Sequence, residues 1–204
     1  MNADHMEQEY KWVMPGADLK ELAAYLHRLP QRVSHETLHM EAVYSDTADG
    51  LVYQHGAALR LRRENDSSIC CMKRTVRRSG AMAQREEYEV EANTVYEGLH
   101  RLPSVGAPAE FCDMLIDHEF RALAHTDFIR QSYQLEFPDF TAELAVDVGR
   151  LGGESCMIPF EEIELERKAG NPEAFSAWAE ALAAQFSLEP QPLSKLARAL
   201  AAGK

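Results

Sequence analysis

The feature that most limits how this chain can fold is an alternation of charge at single-residue spacing. In MEQEYKW, residues 6–12, Glu7, Glu9 and Lys11 take every second position, with Tyr10 and Trp12 between them. Neighbouring side chains on a strand leave opposite faces, so the carboxylates and the ammonium share one face and the rings share the other. The same period recurs in segments 38–47, 57–63, 69–76, 84–91, 128–136, 142–148 and 161–167. Together with 6–13 these make about eight strands, which predicts an α+β chain built on a large antiparallel sheet or barrel.

The charged faces agree with one another. ALRLRR sets Arg60 and Arg62 opposite Leu59 and Leu61, and CCMKRTV sets Lys73 with Cys71 and Thr75, away from Met72 and Arg74. QREEYEVEA aligns Arg85, Glu87, Glu89 and Glu91 against Tyr88 and Val90. Arg130 lies opposite Ile129, Tyr133 and Leu135; Glu143 and Asp147 lie opposite Leu144, Val146 and Val148; and Glu162, Glu164 and Glu166 lie opposite Ile163 and Leu165. Any one strand fits a half-buried sheet whose polar side meets water. The set reads differently, because its polar side segregates carboxylate-rich strands from arginine-rich ones. A sheet curled with this face inward is a barrel with a charged lumen and apolar stripes outside, under helices. Carboxylates attract hard divalent cations, and guanidinium and ammonium groups attract phosphate. A lumen holding both suits a metal-complexed polyphosphate.

The helices expected outside the sheet follow from their stripes and caps. Leu19, Leu22, Leu26 and Leu29 predict a helix starting near Asp18, and short helices are expected over 94–102 and 109–123. Asn171 before Pro172 and Glu173 opens a helix whose face is Phe175, Trp178, Leu182 and Phe186, and a final one after Ser194 carries Lys195 and Arg198. Tyr10, Trp12, Tyr88, Tyr133, Phe175 and Trp178 are expected to fill the layer between barrel and helices. Arg77 and Arg78 are expected in a plain solvated turn, the alternative being that they help draw anions toward a tunnel mouth. His35 and His39 have helical ligand spacing but fall in what reads as a loop entering a strand, so no metal is assigned to them.

The 204 residues fit one domain, 1–204. A net charge of −12 lacks the basic footprint of a nucleic-acid or membrane-surface binder, and no apolar run has signal-peptide or membrane-spanning length. No nucleic-acid and no membrane partner is expected, and the location is expected to be cytoplasmic. Cys70, Cys71, Cys112 and Cys156 show no C-x-x-C spacing and are expected to be reduced, buried Cys70 and Cys71 having no redox role.

With these segments in hand, a resemblance is apparent. Glu7-x-Glu9-x-Lys11, YSDT at 44–47, GAALRLRR at 56–63, Lys73, REEYE at 85–89, AELAVDVG, EEIELE and LSK at 193–195 occur in the order seen in CYTH-domain proteins, the triphosphate tunnel metalloenzymes. KRTVRRSGAMAQREEYEV, TDFIR, EEIELERKAG and PLSKLARAL look most like the N-terminal half of bacterial inorganic triphosphatases, which often carry a helical CHAD domain afterwards; the sequence as given is expected to hold the CYTH part alone. Ser45 departs from the aromatic residue of many members and is expected to point away from the lumen.

The resemblance implies a closed or nearly closed antiparallel barrel of about eight strands with helices packed outside. It implies Mg²⁺ or Mn²⁺ on Glu7, Glu9, Glu162 and Glu164, with Glu87 and Asp147 as supporting carboxylates. Lys11, Arg60, Arg62, Lys73, Arg85, Arg130 and Lys195 would bind the phosphates, and Glu7, Glu9, Lys11 and Glu164 would form the catalytic set. The implied activity is hydrolysis of inorganic triphosphate to diphosphate and phosphate by a monomer or homodimer. Alternatives on the same fold are thiamine triphosphate or a nucleoside triphosphate as substrate, cyclisation of ATP, or capture of polyphosphate without turnover.

Overall fold

The computed structural model describes residues 6–15 and 19–202. Its long strands are β1 (Met6–Val13), β2 (Arg32–Thr47), β3 (Ala57–Glu64), β4 (Ser67–Ser79), β5 (Met82–Glu91), β6 (Phe120–Glu136), β7 (Phe140–Gly153) and β8 (Cys156–Gly170). Neighbours pair in the order β5-β4-β3-β2-β6-β7-β8-β1, and β1 pairs back onto β5 with Glu7 opposite Arg85, closing an antiparallel barrel. A short β9 (Glu189–Pro190) lies against the end of β1, with Trp12 opposite Pro190. Closure removes the open edges that a flat sheet would leave.

Two apolar layers cover the barrel from outside. Helices α1 (Leu19–Arg28) and α5 (Pro172–Gln185) cover Trp12, Tyr133, Leu144, Ile163 and Leu165 with Leu22, Leu26, Phe175 and Leu182. Asn171 starts α5: its side chain accepts the N–H groups of Glu173 and Ala174, and Pro172 supplies the first helical residue. The Asp18 start expected for α1 lies outside the described residues. On the other side α3 (Val95–Arg101), a 3-10 turn (Leu102–Val105) and α4 (Ala109–Ile116) cover Leu59, Cys70, Met72 and Tyr88. A Cβ on Gly98 would come to 2.2 Å from Cys70 Sγ, so only glycine lets α3 settle this close to β4.

Of the two remaining helices, the first adds Val52 to the outer layer of Leu59 and Met72. Asp46, in the YSDT segment, accepts the N–H groups of Val52 and Tyr53, and Thr47 Oγ1 accepts that of Leu51, so the motif builds the start of α2 (Leu51–Gln54). Helix α6 (Lys195–Ala202) is not outside. Its Leu196 and Ala199 pack on Met40, Tyr44, Phe128, Leu151 and Phe160, which alternate onto the same faces as Arg130, Asp147 and Glu162 and therefore point inward. The expectation of helices packed outside thus holds for the other helices, while α6 closes one end of the lumen.

Several boundaries differ from expectation: β4 runs on to Ser79 and β7 to Gly153, and β8 starts at Cys156. The helix expected over 109–123 stops at Ile116, because residues from Phe120 onward pair with the end of β2, Phe120 opposite Thr47. β2 begins at Arg32, so His35 and His39 are in a strand and not in a loop. Four strand residues span about 13 Å, which keeps the two rings from sharing an ion; His35 Nε2 lies 2.7 Å from Gln131 and His39 Nε2 lies 2.7 Å from Asp127. Among the described residues no helix is long and apolar enough to cross a membrane.

Candidate active site

The inward faces enclose a cavity of about 770 Å³. Glu7, Glu9, Lys11, Arg60, Arg62, Lys73, Arg85, Glu87, Arg130, Glu164 and Lys195 all line it. The alternation read from the sequence is therefore an enclosed charge lattice, and Ser45, opposite Leu59, is buried on the outward side as expected.

The lattice has two parts. On the wall made by β3, β4 and β5, cations bridge pairs of carboxylates. Lys73 Nζ lies 2.6 Å from Glu87 and 3.2 Å from Glu7; Arg62 lies 2.6 Å from Glu64 and 3.0 Å from Glu89; and Arg60 lies 3.6 Å from Glu87 and 3.9 Å from Glu89. Burial alone would push the Glu87 carboxyl up, but Lys73 and Arg60 outweigh it and hold it well below the ordinary carboxylate range. Glu7 goes the other way: burial, with Glu87 and Glu9 nearby, holds it well above that range in spite of Lys73.

The other part is carboxylate-rich and is met by α6. Oxygens of Asp147, Glu162 and Glu164 come within 4.8 Å of one another. Arg130 forks onto Asp147 with two bonds of 2.8 Å and reaches Glu164 at 2.5 Å. Lys195 lies 2.9 Å from both Asp147 and Glu164 and pairs with Glu162, which Arg198 also holds. Lys195 is held above the ordinary lysine range, because Asp147, Glu162 and Glu164 outweigh its desolvation. Glu164 would be raised by burial, yet Lys195, Lys11 and Arg130 hold it well below the ordinary range. Lys195 also stands over the Phe128 and Phe160 rings, 5.3 and 5.6 Å from their centroids.

Lys11 joins the two parts, 3.4 Å from Glu9 and 3.4 Å from Glu164. Of the carboxylates that the resemblance assigns to metal, Glu162 and Glu164 share one cluster with Asp147, whereas Glu7 and Glu9 stand apart in pairs with Lys73 and Arg85. Glu162 and Asp147 are wholly buried beneath Lys195 and Arg198. The donor chemistry suits Mg²⁺ or Mn²⁺, since the oxygens are hard. A further fit is Glu9 Oε1, buried and 2.6 Å from Arg85 yet without a well-directed hydrogen bond.

Sequence reading put Arg198 on the last helix with Lys195 but gave it no role, although the spacing of three sets the two on one helix face. It also left Glu89 and Tyr44 without a role, although both line the cavity. Cys71 was placed on the correct face; its thiol donates to Glu87 Oε1 at 3.0 Å.

A model of the CYTH domain matches residues 5–200. The inorganic triphosphatase of Haemophilus influenzae is 25% identical over 158 residues, a match that covers 74% of this chain and 42% of that protein. Among solved structures, HpAC1 of Hippeastrum, named as a candidate adenylyl cyclase and described as having a dominant triphosphatase activity, superimposes with a TM-score of 0.64 at 18% identity over 97% of each chain. PH1819 of Pyrococcus horikoshii superimposes with a TM-score of 0.58 at 18% identity, covering 96% of this chain and 98% of its own. These likenesses show the fold.

Proposed function

The chain belongs to the CYTH domain family, and from that premise we propose that it is a divalent-metal-dependent hydrolase of inorganic triphosphate. The observation that carries the reading is the enclosure of Arg60, Arg62, Lys73, Arg85 and Arg130 in one cavity with Glu7, Glu9 and Glu164. Basic groups alone would suit an anion; the carboxylates among them suit an anion that arrives with cations.

Arg60, Arg62 and Lys73 each bridge two carboxylates, so each can turn toward a phosphate oxygen and keep one partner that fixes its position. Arg groups take phosphate through paired donors and Lys11 and Lys73 as point charges. Lys195 and Arg130, steadied by Asp147, neutralise charge gathering on the transferring phosphoryl group and its leaving diphosphate. Glu7, Glu9, Glu162 and Glu164 would hold Mg²⁺ or Mn²⁺, which when bound supplies charge neutralisation on phosphate oxygens and a water of lowered pKa. No side chain is needed as nucleophile. The lumen thiol, Cys71, is held well above its ordinary pKa by burial and by Glu87, which leaves it protonated.

The test is phosphate release from triphosphate, longer polyphosphates, thiamine triphosphate and ATP with Mg²⁺ or Mn²⁺, with mass spectrometry on the ATP products. Triphosphate is expected to be the best substrate, and Glu9→Gln and Lys73→Ala to lose about 10²–10³ in rate while remaining folded. Undiminished turnover in both variants would refute the reading. Tight binding without turnover under every metal would assign the tunnel to capture, and cyclic AMP from ATP to a cyclase.

A further inference from the structure

The tip of the β4–β5 hairpin exchanges one arginine for another. Cys71, Lys73 and Thr75 alternate inward along β4, and an unbroken alternation would bring Arg77 in next and leave Arg78 outside. The pairing is not unbroken. Thr75 lies opposite Arg85 and Arg77 opposite Gln84, so β4 advances two residues while β5 advances one, and Val76 is the extra residue of a β-bulge. Beyond it Arg78 lies opposite Ala83. Ala83 is two positions from Arg85 and shares its inward face, so Arg78 faces inward as well. Arg78 lines the cavity together with Thr75, and Arg77 does not.

Arg78 also differs from the other lumen arginines in its partners. Arg60, Arg62, Arg85 and Arg130 are each ion-paired to carboxylates. Among the described residues the Arg78 side chain makes no ion pair, and it is exposed, past the last β3–β4 pair of Ala57 with Arg74. A guanidinium with no carboxylate to release can engage an incoming anion without first giving up a bond.

We infer that Arg78 is a substrate-binding residue: an uncommitted guanidinium at the tunnel mouth that takes a phosphate group of the polyphosphate as it enters. This rests on the triphosphatase reading. The bulge is what gives the role to Arg78 and withholds it from Arg77, so the neighbouring residue is the control.

The experiment compares Arg78→Ala, Arg78→Lys and Arg77→Ala in steady-state hydrolysis of inorganic triphosphate with Mg²⁺, alongside thermal melting. Arg78→Ala is expected to raise KM about fivefold with kcat within about twofold of the parent, Arg77→Ala to leave both within about twofold, and Arg78→Lys to recover most of the loss. The difference should shrink as ionic strength rises, because the group is exposed. Parent enzyme that hydrolyses triphosphate, with Arg78→Ala and Arg77→Ala indistinguishable, overturns this inference and leaves the triphosphatase reading standing. Parent protein that neither hydrolyses triphosphate nor binds it in calorimetry overturns both.

Discussion

Leu144 and Asp147 are three residues apart on β7, and both are completely buried. Leu144 faces outward, in the layer that α1 and α5 cover; Asp147 faces inward, held by Arg130 and Lys195. One strand thus supplies two interiors of opposite chemistry. Outside, burial is favourable in itself, at about 25 cal/mol per Å² of apolar surface. Inside, burial opposes every charge, and only the partners offset it. The outer layers therefore hold the barrel together, and the lumen is a cost that the fold sustains for its chemistry.

The difference is sharpest at Phe175, which is fully buried between α5 and the barrel, 5.7 Å from the rings of Tyr10 and Phe140. Phe175→Ala should lower unfolding free energy by about 3–5 kcal/mol, read by urea denaturation, while the molecules that remain folded keep their turnover. That is the reverse of the pattern expected of Lys73→Ala, where turnover per folded molecule falls. A Phe175→Ala protein of unchanged stability would mean that the outer layer does not carry the barrel.

The two interiors should also part company in acid. Glu87 has a folded-state pKa well below its ordinary value because Lys73 and Arg60 outweigh its burial. A depressed carboxylate contributes stability that is full above the unfolded value, near 4.5, and is lost as pH falls through the folded one. Glu7, held high by burial, has the opposite sign: its contribution declines as pH rises from the unfolded value toward the folded one. Glu87→Gln should therefore flatten the acid limb of the stability profile below about pH 4.5, whereas Leu182→Ala in the outer layer should lower the whole profile without changing its slope. Parallel profiles for both variants would place Glu87 outside the charge lattice.

How much of this was legible in the sequence follows from the same division. Alternation carried β1 completely and identified the inward side of β3, β5, β7 and β8, since any other face would strand charges in an apolar layer. It carried Tyr10, Trp12, Phe175 and Trp178 to the outer layer, where they lie. It did not carry the start of β2, because RVSHET offers too few apolar residues to show a period, nor the change from α4 to β6 before Phe120, which only pairing with Thr47 imposes. The entry of α6 into the lumen was hidden from the residues themselves for a similar reason, and only the resemblance, which sets Lys195 on the phosphates, pointed there. Its stripe of Leu196 and Ala199 is an ordinary amphipathic signal, and nothing local tells which apolar surface it meets. Which of Arg77 and Arg78 faces the lumen was hidden by the bulge at Val76, since an extra residue inverts every later face and leaves no mark in composition.

The smallest expected effect comes from the closest pair. Cys70 and Cys71 are adjacent on β4 and both fully buried, Cys70 outward against Gly98 of α3 and Cys71 inward beside Glu87. Burial pushes the Cys70 thiol up to about 12, which marks a site with little to stabilise charge or polarity. A serine hydroxyl there would be desolvated in the layer of Met72, Leu99 and Leu102, so Cys70→Ser should cost about 1–3 kcal/mol. At Cys71 the hydroxyl would donate to Glu87 as the thiol does, and the urea midpoint should move by no more than about 0.5 kcal/mol equivalent. The two substitutions are chemically identical, are made one residue apart and start from equal burial, so a difference between them can come only from which interior the side chain enters. Equal losses would show that the lumen wall at β4 is as apolar as the layer outside it, and that the charge lattice stops short of Cys71.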